Sequence, residues 1–298
     1  MKKISVVIPV YNNPKELYLT LNALSIQTLA SNEFEVLVVD DGSSIHMKSV
    51  LREFEGRMNL KYFWQEDKGF CPGTARNLGI RAACGELCVF LDSGVIPVST
   101  CLEEYYNTYR KSEKETVILG YVYGNDIYSD LQEMRDIINS HAPDDAALIM
   151  ESKNMLDGRE RLYTEFGDEL AEWPVPWVVL WSLNFAVSTQ FMRDNQIYFD
   201  EYFTTWGGED NEFGIQLLNH GAVYVLCRAA KAIHYPAKIR SYDKLNHDEV
   251  FRKNSIQNQK YIVSKYPQDY AVRLWYEKGW VRVNRILIEE RSGGLLKS

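Results

Sequence analysis

Two runs near the start set the pattern. Ile4-Ser5-Val6-Val7-Ile8-Pro9-Val10 and Phe34-Glu35-Val36-Leu37-Val38-Val39 are almost continuously apolar and rich in β-branched residues. Such runs predict strands buried on both faces of a parallel sheet. Between them, Tyr11-Asn12-Asn13-Pro14 reads as a turn, with Pro14 opening a helix that reaches about Leu29; proline suits the first helical position because its missing N–H would have had no partner there. The alternation then repeats. A helix over about Met47 to Phe54, a strand from Leu60 to Trp64, a glycine-bearing loop and helix from Lys68 onward, a strand from Gly85 to Leu91, a helix from Ser99 to Lys111 and a strand from Thr116 to Val122 follow in turn. This order predicts an α/β fold: a mostly parallel central sheet flanked by helices, with ligands outside the carboxyl ends of the strands.

The pattern changes from about Ser129 to Glu172, where polar, helix-prone sequence predicts a helical insertion over one end of the sheet. Loops beside such sites often close on substrate, and that is the expectation for this stretch. Trp173 to Trp181 then concentrates three tryptophans, open to two readings: a wall of the core, or a platform on which a sugar stacks. A strand from Asn184 to Ser188, a short helix from Phe191 to Asn195, a helix from Asn211 to Asn219 and a strand from Ala222 to Cys227 follow. His234-Tyr235-Pro236 reads as loop, and the chain on to about Tyr266 as helix. The expected organisation is residues 1–124, 125–240 and 241–298 within one compact domain, the last part a helical extension.

Composition narrows the function classes. At 298 residues with a formal charge of -8, the chain does not read as a nucleic-acid binder, because phosphate backbones call for clustered Lys and Arg. Its five cysteines, Cys71, Cys84, Cys88, Cys101 and Cys227, include one C-x3-C but no second pair at zinc spacing, so they read as free thiols of a reducing compartment. The first apolar run is short and ends in a turn, unlike a signal peptide, and Ser182 and Asn184 interrupt the most apolar later window. A cytoplasmic location without a transmembrane segment is expected, and peripheral membrane contact is compatible with it.

Candidate chemistry gathers at loops. Trp206-Gly207-Gly208-Glu209-Asp210 places two carboxylates at the start of a helix after two glycines. By itself this is also what a glycine turn with acidic N-terminal capping looks like. Lys68 and Arg76 flank a glycine-bearing loop entering a helix, where an anion can sit. Asp40-Asp41-Gly42-Ser43 and Asp92-Ser93-Gly94 put carboxylates at two strand ends.

Taken in order, Val7-Ile8-Pro9-Val10-Tyr11-Asn12, Val39-Asp40-Asp41-Gly42-Ser43, Ala75-Arg76-Asn77-Leu78-Gly79, Phe90-Leu91-Asp92-Ser93-Gly94, the Trp206 to Asp210 motif and the later His234 make a chain that resembles the inverting glycosyltransferases of family 2, with the fold called GT-A. The acidic motif is most similar to that of β-1,4-galactosyltransferases, polypeptide N-acetylgalactosaminyltransferases and chondroitin polymerases. Residues 125–172 match nothing in that family pattern. The resemblance implies that Pro9, Tyr11 and Asn12 line the base and ribose of a nucleotide diphosphate sugar, and that Asp40 accepts a hydrogen bond from the base imide. It implies Arg76 near the base or diphosphate, Asp92 and Ser93 near ribose and metal, Asp210 as general base and Glu209 as a ligand of the acceptor hydroxyl. Trp181, Trp206, Gly207 and Gly208 fall on the acceptor side.

One departure stands out. The family usually has Asp-x-Asp where this chain has Asp92-Ser93-Gly94. Two arrangements stay open: Asp92 and His234 hold Mn²⁺ or Mg²⁺ with diphosphate oxygens and water, or Lys68 and Arg76 offset the charge without a metal. His234 also reads as a structural histidine. The function expected is transfer from a nucleotide diphosphate sugar, a UDP-sugar above all, to a hydroxyl of a glycan, glycolipid or small molecule. The alternatives are a nucleotide-sugar binder without turnover and a scaffold on the same fold.

Overall fold

A computed structural model describes residues 2–125, 129–236 and 248–295. Among them, strands β1 (Lys2–Val10), β2 (Phe34–Asp40), β3 (Leu60–Trp64), β4 (Gly85–Leu91), β5 (Val95–Pro97), β6 (Thr116–Tyr123), β7 (Asn184–Ser188) and β8 (Val223–His234) join in one sheet, in the order β3-β2-β1-β4-β7-β6-β8-β5. The apolar runs do what their composition demands: Ile4, Val6, Val7, Ile8, Val36, Leu37 and Val38 are wholly buried. β1 lies parallel to β2 and β4, β2 to β3, and β6 to β8. β7 runs antiparallel to both β4 and β6, and β5 antiparallel to β8. The α/β architecture with a mostly parallel centre is therefore as the alternation predicts.

Helices α1 (Pro14–Leu24), α2 (Lys48–Arg52), α3 (Pro72–Ala82) and α4 (Cys101–Lys111) flank the sheet. α1 stops well short of Leu29. The Gln27 amide donates to the carbonyls of Ala23 and Val98, and the Thr28 N–H bonds Ser99, so the chain leaves the helix to reach the sheet edge. Two further expectations need correction. β5 was not anticipated, and β8 runs to His234 rather than ending at Cys227. A bulge against β6 between Gly120 and Tyr121 lets β8 continue through Arg228 and Lys231, which break its apolar pattern. His234 is thus the last residue of a strand, not part of a loop.

The insertion comprises α5 (Leu131–Ser140), α6 (Pro143–Ser152) and α7 (Glu160–Phe166). Asp130 caps α5 by accepting from the N–H groups of Gln132 and Glu133, and Met134, Met150 and Leu162 are fully buried. Just before α7, Arg159 is 0% exposed. It donates to Asp157 at 2.6 Å, to the Gly120 carbonyl of β6 at 2.8 Å and to Val179 at 3.0 Å. This wiring ties residues 157–159 to β6 and to the 176–179 turn. Of the three tryptophans, Trp173 and Trp177 are core, 5% and 2% exposed, the latter in a 3-10 turn (Pro176–Val179).

Helices α8 (Thr189–Asp194) and α9 (Glu209–Asn219) precede β8, and α10 (Glu249–Lys265), α11 (Tyr270–Lys278) and α12 (Val283–Leu295) follow. The helix expected up to Tyr266 is α10, and its expected beginning at residues 237–247 lies outside the described residues. No described helix is long and apolar enough to cross a membrane.

Removing one member of a fully buried ion pair leaves an uncompensated charge, which costs about 3–5 kcal/mol. Urea unfolding of Arg159→Met should show a loss of that size, while the double variant Arg159→Met, Asp157→Leu should lose clearly less. A single variant as stable as wild type would show that the pair does not anchor the insertion.

Candidate active site

The predicted residues converge where four elements end. α3 carries Arg76, the end of β4 carries Asp92 and Ser93, the last residue of β8 is His234, and the first turn of α9 carries Glu209 and Asp210. Their meeting follows from strand register. The chain turns after β4, with the Val95 N–H bonded to the Asp92 carbonyl, and β5 pairs Val95 opposite His234. The Tyr235 N–H donates to the Gly94 carbonyl at 2.8 Å and closes the corner. Arg76, 2% exposed, donates from Nη2 to Asp92 Oδ1 at 2.6 Å. Its guanidinium lies 5.2 Å from the centre of the Phe199 ring, which stacks at 4.0 Å on Phe213 of α9.

Among the described residues, eight buried side-chain polar atoms lack a hydrogen bond, and four belong to this site: Arg76 Nε and Nη1, Ser93 Oγ and Glu209 Oε2. Buried polar groups are almost always paired, so such a concentration marks a place built to receive a polar ligand. The acidic pair is electrostatically stressed. Burial raises the Glu209 carboxyl above its ordinary value, with Arg76 pulling the other way. Asp210 is pushed up to about 8, by burial first and by the like charge of Glu209 second; its own Oδ1 accepts the Asn211 N–H at 2.8 Å. His234 is lowered by burial, opposed by the nearby Asp92 carboxylate.

His234 lies near enough to Asp92 to feel its charge, and among the described residues no group of three or more His, Cys, Asp or Glu could hold a metal ion. One carboxylate and one imidazole fit a divalent cation whose other ligands are phosphate oxygens and water. Gly94 itself has a backbone cause. Its φ is +99°, and a Cβ there would meet Glu16 Cβ at 3.3 Å; an aspartate would be strained by about 1–2 kcal/mol in that conformation.

The donor-side residues are placed less uniformly. Pro9 is buried in β1 opposite Val39. Asn12 holds a left-handed φ of 53° and uses its side-chain oxygen to accept from the N–H groups of Ser44 and Ile45, so it shapes the Asp41 to Ser44 loop. Asp40 is 1% exposed and accepts from the Ser43 N–H and the Tyr62 hydroxyl, both at 2.7 Å. Tyr11 stands 48% exposed, its hydroxyl on Asp67 at 3.0 Å. Lys68 is exposed, its ammonium 4.0 Å from Glu66. A cation the sequence did not single out is Lys15 of α1, which donates to the Tyr235 hydroxyl at 2.5 Å beside the Gly94 corner. Its only sequence signal is a position directly after the turn that follows β1.

On the other side, Trp206 stacks on Phe251 at 4.7 Å. Trp181, half-buried, packs edge-on against Trp280 at 5.5 Å and over Arg159, a wall position rather than an open platform.

The fold is that of a known class. The glycosyl transferase family 2 model matches residues 5–168, and the chain belongs to that family. It is 35% identical over 235 residues to a validoxylamine A glucosyltransferase of Streptomyces hygroscopicus subsp. limoneus, covering 78% of this chain and 51% of that protein. It is 31% identical over 251 residues to a chondroitin synthase of Escherichia coli, covering 81% of this chain and 36% of that one. The chain thus spans about half, or less, of the length of these relatives. Among solved structures, S. aureus TarS 1–349 in complex with UDP-GlcNAc superposes with a TM-score of 0.58 at 17% identity, over 96% of this chain and 81% of that one. The mannosyltransferase PcManGT of Pyrobaculum calidifontis with GDP-Man and Mn²⁺ gives 0.56 at 13%, over 98% and 75%. At those identities the likeness is one of fold, and it is the GT-A fold.

Two outcomes follow for the unliganded protein. Between the ordinary aspartate value of 3.8 and about 8 the folded state holds a proton that the unfolded chain has released, so stability drains away as pH rises through that window. Asp210→Asn should therefore raise the melting temperature at pH 8 and leave it nearly unchanged at pH 4; equal melting at both would contradict the raised value. Gly94→Asp should lower stability by about 1–2 kcal/mol in urea unfolding, against no change if the corner tolerated a side chain.

Proposed function

We propose that this chain transfers a sugar from a UDP-sugar to a hydroxyl acceptor with inversion at the anomeric carbon, Asp210 acting as general base. The observation that carries this is the set of unpartnered buried atoms on Arg76, Ser93 and Glu209, gathered where the family pattern puts donor and acceptor. Arg76 offers two unpartnered nitrogens, Nε and Nη1, to the donor diphosphate, while its third, bonded to Asp92, fixes the guanidinium plane. Ser93 Oγ, buried and unpartnered on the residue after Asp92, is free for ribose or phosphate. Asp40 and the Tyr11–Asp67 pair frame the base. Lys15 is better placed than the exposed Lys68 as a second cation on the diphosphate side.

On the acceptor side, Glu209 would accept a hydrogen bond from the acceptor and Asp210 its departing proton as the hydroxyl oxygen attacks. A carboxylate whose proton affinity is raised by burial and a like charge is a stronger base than one in water. Asp92 and His234 would hold a divalent cation together with diphosphate oxygens. When bound, such a cation draws charge from the leaving diphosphate. The TarS complex with UDP-GlcNAc and the relatives named as glucosyltransferase and chondroitin synthase support a UDP-sugar and a glycan, glycolipid or small-molecule acceptor. Gly94 does not favour a binder without turnover, since the turn accounts for it.

The test is release of UDP from a panel of UDP-sugars, with Mn²⁺, with Mg²⁺ and with EDTA, alongside Asp210→Asn. The expected result is release from one donor above the rest, cut by about 10²–10⁴-fold in Asp210→Asn. Loss in EDTA that Mn²⁺ restores would assign the diphosphate charge to a cation at Asp92 and His234. Full activity in EDTA would assign it to Arg76 and Lys15. Absence of any UDP binding would overturn the reading.

A further inference from the structure

We propose that Asn258, on α10, is the positioning residue of the acceptor loop, and that one face of α10 is the seat on which residues 204–208 are held so that Glu209 and Asp210 meet the donor. This rests on the transfer reading above and extends it to a helix beyond residues 5–168, the part the family model matches.

Phe251, Ser255, Asn258 and Ile262 recur at intervals of four, three and four residues, which puts them on a single helical face. That face touches the loop residue by residue. Phe251 stacks under Trp206. A Cβ built on Gly207 would lie 3.5 Å from Ser255 Oγ, and one on Gly208 would lie 3.2 Å from Ile262 Cδ1 and 3.3 Å from Phe203 Cε1. Both glycines have left-handed φ, 97° and 99°, so the loop lies flat on the helix in a conformation that side chains would resist.

At the centre of the face is one buried amide. Asn258 is 4% exposed, and its Nδ2 is within hydrogen-bond distance of Gly207 O at 2.8 Å, Thr205 Oγ1 at 3.1 Å, Thr205 O at 3.2 Å and Trp206 O at 3.4 Å. An amide nitrogen has two N–H groups, so it gathers several acceptors of one loop around itself, with the closest at Gly207.

The loop transmits its position in both directions. Gly208 O accepts the Glu212 N–H at 2.9 Å, which begins α9 and sets the direction of Glu209 and Asp210. Thr204 O accepts the Phe70 N–H at 3.1 Å from the loop that leads into α3 and Arg76. Asn258 touches neither substrate in this account. It fixes the distance between the acidic pair and the diphosphate site.

Asn258→Asp has the same size and lacks the amide donor, and Asn258→Gln keeps the donor on a longer arm. Three readouts on the whole chain decide: UDP affinity by calorimetry, UDP release from UDP-glucose and UDP-GlcNAc, and hydrogen exchange by peptide. The proposal expects Asn258→Asp to keep UDP affinity and donor KM within about twofold while kcat falls by about 10²-fold, the scale of a 1 Å misplacement. Exchange should rise in peptides covering 204–210 and not along α10, and Asn258→Gln should recover part of kcat. Unchanged kcat with unchanged exchange at 204–210 would overturn it. So would exchange rising throughout α10 with loss of UDP affinity, which describes a structural residue. If wild type releases no UDP from either donor, the transfer reading fails for them, and the exchange pattern alone still decides for or against Asn258.

Discussion

A guanidinium held at 2% exposure beside one carboxylate is a costly object unless its remaining N–H groups find partners. The arrangement around Arg76 is organised by that constraint. Beneath it runs a column of rings: Phe199 under the guanidinium, Phe213 of α9 stacked on Phe199, and Phe90 and Phe185 of the sheet, stacked on each other, in edge contact with them. Each such contact adds about 0.5–1.5 kcal/mol beyond the burial of area. The column joins α3 to α9 through apolar matter that does not compress easily. Asn77, next to Arg76, reinforces it by exchanging two 2.8 Å hydrogen bonds with the Phe199 backbone. Cation and carboxylates are thereby held near each other although 133 to 134 residues apart in sequence (209 − 76 and 210 − 76).

The electrostatic consequence is a site that works against stability. Glu209 and Asp210 both bind protons more readily than they would in water, and burial is the first cause for each. Natural sequences break local rules of this sort at functional sites and compensate elsewhere. Here the compensation is visible in the fully buried strands.

The sheet was legible because its strands are buried on both faces, which leaves a continuous apolar signal; β1, β2 and β4 fall almost where that signal begins and ends. The site was legible in part, through carboxylates at strand ends and the paired glycines at 207 and 208. What stayed hidden depended on distant partners. β5 is three residues long and exists only because β8 lies beside it, and β8 carries Arg228 and Lys231 past a bulge. His234 looked like a loop residue for the same reason. The commitment of the Asn12 oxygen to the Ser44 and Ile45 amides, 32 and 33 residues on, has no local sign either. Lys68 and Arg76 looked equivalent as cations, and only burial separates them. Nothing local in the sequence points from Asn258 to Gly207, 51 residues before it.

The most direct test of the account is a crystal structure with UDP bound. The central claim is that the unpaired atoms of Arg76 and Ser93 are there to be satisfied by the donor. It predicts diphosphate or ribose oxygens within about 2.7–3.2 Å of Arg76 Nε or Nη1 and of Ser93 Oγ, with Asp92 still paired to Arg76. UDP bound elsewhere, or bound here with those atoms still without partners, would contradict it.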